Sequence, residues 1–209
     1  MSEPGQELLR LRQVMHRLRR ECPWDAQQTH RSLVTYLVEE TGEVIDAIET
    51  GDDADLVEEL GDLMLQVFFH AEIAEQQGRF TIDEVAAGIA DKLTSRHPYV
   101  FGEDEVPDDP KVAWEARKRS EKGRSSSLDG IADSLSVVAR ATKVASRTRN
   151  HQVPIELPDD PVTAAEVGQG ILDLVLRAHA SGIDADQASR EALRALEARI
   201  QQAEANGSP

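Results

Sequence analysis

Two short stretches, EETGE at residues 39–43 and ELGD at residues 59–62, each place carboxylates three residues apart. Projected at about 100° per residue, Leu33, Leu37, Val44, Ala47 and Ile48 share one arc of a helix, and Glu40 falls inside it. Glu43 lies at the border of that arc, whereas Glu39 and Asp46 point away. In the second segment Leu56, Leu60, Leu63, Val67 and Ala71 form the apolar stripe. Glu59 borders the stripe, Asp62 lies on the same side one turn along, and Glu58 points away. A carboxylate aimed at a buried face is expensive unless something pairs with it. Four of them, Glu40, Glu43, Glu59 and Asp62, cannot all stay ionised at close range without cations. Oxygen-only donors suit a hard divalent ion, Mg²⁺ first and Mn²⁺ as a possible substitute. A carboxylate-bridged iron site is the rival, but it needs Glu-x-x-His. No histidine follows Glu40 or Glu59 by three residues, and His70 stands two turns beyond Asp62 as a polar-face or partly buried histidine. Magnesium is favoured over iron.

Such pairs need two helices lying side by side. A helix over residues 29–50, with Thr29 as N-cap and Gly51 as its stop, precedes another from Asp52 or Asp53 to about Gln77, closed by Gly78. The connection is so short that the two must pack as an antiparallel hairpin. An amphipathic helix over residues 5–21 comes first and ends in the CPWD turn at 22–25. Further helices are predicted over 82–96, 111–122 and 128–149, with a last pair inside 162–204 that turns at Ser181 and Gly182. FGEDEVPDDP (101–110) and the proline-broken HQVPIELPDDP (151–161) read as loops, and GRSSS (123–127) as a linker. Almost no period-2 pattern occurs, so the fold class is all-α.

The chain has 209 residues, only 4% of them aromatic, and a formal net charge of −16. That charge argues against broad binding to a nucleic-acid backbone. No apolar run approaches the roughly 18 residues of a membrane span. The N-terminal LLRLRQVMHRLRRE is broken by arginines and reads as an ordinary helix with a solvated basic face, not a signal peptide. The single cysteine, Cys22, excludes an internal disulfide, reads as a small buried hydrophobe, and suits a reducing cytosol. A cytoplasmic protein is expected.

EETGE followed by ELGD resembles the signature of the all-α nucleoside triphosphate pyrophosphohydrolases of the MazG type. CPWDAQQT at 22–29, YLVEETGEVIDA at 36–47, LGDLMLQV at 60–67, KLTSRHPYVF at 92–101 and WEARK at 114–118 are similar to that family as well. The resemblance covers about residues 8–122. It implies Mg²⁺-dependent hydrolysis of nucleoside triphosphates to the monophosphate and pyrophosphate, by a dimer or higher oligomer of helical hairpins.

Cleavage between the α- and β-phosphates needs an attacking water, cations on the phosphate oxygens and neutralisation of the leaving group. Glu40, Glu43, Glu59 and Asp62 would hold the ions, and Glu39, off the inner face, would orient or deprotonate water. Lys92 and Arg96 lie i, i+4 on one helix and can reach one phosphate chain; by resemblance they are triphosphate contacts. Trp114 and Lys118, also i, i+4, can stack a base and touch a phosphate, and the resemblance favours Trp114 over Trp24, which is left for packing or a pocket wall. The expected role is nucleotide-pool cleansing, with base and sugar preference open. The rival is a helical interaction or regulatory protein that kept the fold without catalysis, and the intact acidic pairs argue against it.

Residues 1–122 are thus expected to be catalytic, 123–161 a helical linker, and 162–209 a truncated, degenerate second repeat. EVGQGILDLVLRAHASG at 166–182 looks like a decayed copy of the helix that starts at Glu59, and SLDGIADSL at 127–135 resembles the join between the repeats of longer MazG proteins. Gln169 replaces Asp62, no EETGE helix precedes the copy, and Glu166 alone survives of the four ligands. This part should bind no Mg²⁺. Its apolar faces (Ile171, Leu174, Val175; Leu193, Leu196, Ile200) are expected to pack on the catalytic hairpins or across a dimer interface.

Overall fold

The computed structural model describes residues 5–123 and 125–207, and helices are the only regular elements among them. The chain divides into two compact units, Met1–Ser95 and Arg96–Pro209.

The first unit contains α1 (Gln6–Glu21), α2 (Pro23–Gln27), α3 (Val34–Thr50), α4 (Asp53–Gln76) and α5 (Ile82–Arg96, whose last residue opens the second unit). Helices α3 and α4 form the expected antiparallel hairpin, joined by Gly51 and Asp52 alone. A Cβ on Gly51 would stand 2.9 Å from the backbone of Ala47, so only glycine allows the chain to fold back here. Asp52 then accepts from the amides of Ala54 (2.7 Å) and Asp55 (3.1 Å), while Asp55 accepts from the Asp52 amide, a reciprocal cap that fixes where α4 starts. At the other end Gly78, at φ +64°, lets the amides of Gly78 and Arg79 reach the carbonyls of Glu75 and Ala74 and close the helix.

Met15, Leu33, Phe69 and Ile73 form the core of this unit, with Leu65 and Phe68 packed against it. Arg19 ties the small α2 to this core. Its guanidinium donates to the carbonyls of Asp25 and Gln28 and to Gln76, and lies over the Phe69 ring.

Three local expectations need correction. The CPWD segment is a short helix, because Pro23 stands at its first turn, where a missing N–H costs nothing. Helix α3 begins at Val34 and not near Thr29, because Thr29 and Ser32 bond each other's amides and close a separate turn first. Of the arc on α3, Leu33 and Ala47 are buried but Leu37 and Ile48 are exposed, Ile48 by 66%.

The second unit holds α6 (Pro98–Phe101), α7 (Pro110–Lys122), α8 (Val137–Asn150), α9 (Ala164–Ala180) and α10 (Ala185–Gly207). Ile131, Val144, Leu193 and Ile200 are its core, with Leu196 against them, so the apolar face of α10 packs on α8 inside this unit. Helix α8 starts at Val137, capped by Ser136, instead of near Leu128. The residues before it, expected as linker and helix, form a built corner. Glu204 accepts from the Ser126 hydroxyl (2.6 Å) and the Ser127 amide (2.7 Å), and buried Arg147 donates to the carbonyls of Ser127 and Asp129. Helix α9 opens with a Thr163–Glu166 capping box and closes at Gly182 (φ +68°) with the bonding seen after α4, yet it buries no residue. Among the described residues no helix is long and apolar enough to cross a membrane.

Candidate active site

The hairpin register sets Glu40 against Asp62 and Glu43 against Glu59. One carboxylate oxygen from each of Glu40, Glu43 and Glu59 lies within 4.8 Å of the others. Partial burial pushes the Glu40 carboxyl above its ordinary pKa, and repulsion from Asp62, Glu43 and Glu59 pushes it further. Glu59 is raised in the same way, by desolvation and then by Glu43, Glu58 and Asp62. Asp62 therefore faces the same space, although it lies outside the tight trio. Glu39 is exposed and lies outside that trio. Every influence acting on Glu40 and Glu59 disfavours their charge, and the donors are oxygen only. That set fits one or more hard divalent cations, and the nature of the metal is left open by the geometry.

The two basic residues expected on one helix face, Lys92 and Arg96, both lie on α5 but in different surroundings. Lys92 is exposed on α5. Arg96 is only 4% exposed, donates to Glu121 at 2.8 and 2.5 Å, and holds its guanidinium 5.0 Å from the centre of the Trp114 ring. His97 tilts against the same indole at 4.8 Å. Trp114 is half-buried with Arg96 on its face, and Lys118, partly buried, lies 3.5 Å from Glu115. The acidic residues thus come together in the first unit, and Arg96, His97 and Trp114 come together within the second.

Two features escaped sequence reasoning. His30 and His70 stack at 5.0 Å with their Nδ1 atoms 2.8 Å apart, and burial, then the charge of His30, hold His70 below its ordinary pKa. The other is Gln66, 4% exposed, whose Oε1 is buried without a hydrogen-bond partner. Its signal was present: a polar residue four after Asp62 and seven after Glu59, on the face that otherwise turns apolar.

Residues 28–101 match the MazG nucleotide pyrophosphohydrolase domain. The chain belongs to the MazG family. It is 42% identical over 206 residues to an uncharacterized 26.1 kDa protein of Streptomyces cacaoi, covering 96% of this chain and 84% of that one. It is 42% identical over 173 residues to the nucleoside triphosphate pyrophosphohydrolase of Mycobacterium tuberculosis, covering 81% of this chain and 53% of that protein. The enzyme of the same name from Escherichia coli K12 is 43% identical over 149 residues, 68% of this chain and 57% of the relative. This MazG chain therefore spans little more than half the length of the relatives that carry that name.

Proposed function

We propose that this chain hydrolyses nucleoside triphosphates, ribo or deoxy, to the monophosphate and pyrophosphate in a reaction that requires Mg²⁺, with Mn²⁺ as a substitute. The observation that carries the reading is the trio of Glu40, Glu43 and Glu59 oxygens within 4.8 Å, with Asp62 repelling Glu40 beside it; the names of the relatives support it. Bound divalent ions would polarise the phosphate oxygens and neutralise the leaving pyrophosphate. Glu40, Glu43, Glu59 and Asp62 would hold them. Glu39, outside the cluster, orients the attacking water and accepts its proton. Lys92, Arg96 and Lys118 contact the triphosphate, Arg96 by exchanging the Glu121 carboxylate for a phosphate oxygen, and Trp114 supplies a stacking face.

On this reading residues 1–122 are the catalytic part, 123–161 a helical connection whose α8 packs on α10, and 162–209 a truncated second repeat that binds no metal. The protein works in the cytosol as a homodimer or higher homo-oligomer, and its task is to cleanse the nucleotide pool. Turnover in ¹⁸O-water with Mg²⁺ tests the reaction. The label is expected in the monophosphate, with unlabelled pyrophosphate as co-product. Orthophosphate and diphosphate as first products, or undiminished turnover in excess chelator, would refute it.

A further inference from the structure

Gln66 is a polar residue at a core position. It lies on the face of α4 that carries Glu59 and Asp62 above it and Phe69 and Ile73 below, at the level where the stripe changes from acidic to apolar. A core position calls for an apolar side chain, and a buried amide oxygen without a partner bears its desolvation cost with no return. What surrounds it follows from the hairpin register. Glu43 meets Glu59, Glu40 meets Asp62, and Leu33 joins Phe69 in the core, which sets Tyr36 opposite Gln66.

Trp24, carried on α2, touches Tyr36 at 5.8 Å and Phe69 at 6.3 Å, both edge to face, and so lies over this same level of the seam. Trp24 is 50% exposed and Tyr36 38%. An unpartnered amide oxygen, level by register with two aromatic rings, thus stands one helical turn, about 6 Å of rise, from the carboxylates that would hold the phosphate-bound cations. Phosphates and base of one nucleotide are separated by a sugar, and the two levels of the seam are spaced to take them in turn.

We propose that Gln66 reads the hydrogen-bonding edge of the nucleobase, beside Trp24 and Tyr36, and sets which base is preferred. The proposal rests on a nucleotide being bound at the carboxylates. The unpaired Oε1 accepts from an exocyclic amine or a ring N–H, and Nε2 donates to the acceptor beside it, the paired pattern that an amide side chain offers to a base edge.

The test uses the full chain with Mg²⁺. Calorimetry with the α,β-methylene triphosphates of adenosine, guanosine, cytidine and uridine reads base preference without turnover. Hydrolysis of the four ordinary triphosphates is compared with that of ribose 5-triphosphate, which has no base. The best and worst bases should differ in Kd by at least about tenfold, the size of one or two hydrogen bonds. Gln66→Met should compress that spread to about threefold or less and shrink the kcat/KM advantage of the best nucleotide over ribose 5-triphosphate by a similar factor. Gln66→Glu, which keeps acceptors and loses donors, should reorder the bases. Binding of all four bases within threefold by the parent chain would overturn the proposal. So would a Gln66→Met variant that slows every substrate equally, the mark of a structural residue. If the chain discriminates bases in binding yet cleaves none of them, the hydrolytic reading falls and that of Gln66 stands.

Discussion

Helices α4 and α9 contain similar sequences and close on the same hydrogen-bonded glycine turn, at Gly78 and Gly182, but their acidic residues end in opposite conditions. Glu59 faces the acidic residues of α3 and is pushed toward its neutral form by desolvation and by Glu43. Glu166 sits in the first turn of α9, where the amide and hydroxyl of Thr163, both at 2.8 Å, satisfy its carboxylate and hold its pKa down. Gln169, in the place of Asp62, bonds Asp173 at 2.7 Å along its own helix. What precedes each helix makes the difference. An acidic helix stands before α4, whereas residues 151–163 before α9 form no helix. A carboxylate joins an acidic cluster where a second element brings others against it; without one, the same residue becomes a cap.

The widest separation between the two helices should appear in turnover. Glu40→Gln, Glu43→Gln and Asp62→Asn are each expected to lower kcat by at least about a hundredfold with the helical signal unchanged, while Glu166→Gln stays within about twofold. Equal losses in all four would erase the contrast. Next in size is the effect of removing α9 altogether. A chain ending at Lys122 should keep its rate per folded site within about threefold, yet melt several degrees lower or change its oligomeric state, since α7 loses α8. Residues 123–209 alone should release no pyrophosphate.

The pH dependence of metal-free stability has opposite signs in the two places. Glu40 and Glu59 bind protons more readily folded than unfolded, so they destabilise the chain above their raised values, and this is relieved as pH falls through them. Glu166 is held low, so it contributes stability above the ordinary carboxylate value that is lost as pH falls through its folded value. Glu40→Gln should therefore raise the melting temperature of the metal-free protein at pH 7 and less so near pH 4, whereas Glu166→Gln should lower it at pH 7. Thermal melts with and without Mg²⁺ check both. The smallest effect is expected from Thr163→Ala: about 1 kcal/mol of local stability, read as faster amide exchange in the first turn of α9 with turnover unchanged.

The hairpin was legible because its punctuation is local chemistry. Gly51, Asp52 and Gly78 act on residues within a few positions, and the placement of Glu40, Glu43 and Glu59 follows from helical period alone. The corner at 125–135 was not legible, because its shape depends on Glu204, 77 positions from Ser127, and on Arg147. The start of α3 was misjudged because Thr29 and Ser32 satisfy each other instead of the helix. Arg96 reads as a phosphate contact from its spacing to Lys92, and nothing local shows that Glu121, 25 positions on, accepts from it. Gln66 looked like any polar residue of a helix until burial showed its oxygen without a partner.

The two-residue connection at Gly51 and Asp52 also bears on the order in which the molecule assembles. Glu40 and Asp62 are 22 positions apart, so the whole acidic cluster forms when one short hairpin closes, a fast and entropically cheap event. The corner joining Ser127 to Glu204 requires a far longer closure and is expected to form later. The repulsion among the carboxylates is then already present in the folding transition state. A divalent cation should accelerate the refolding limb of a chevron more than it slows the unfolding limb, so the site would act as a folding nucleus that the ion switches on.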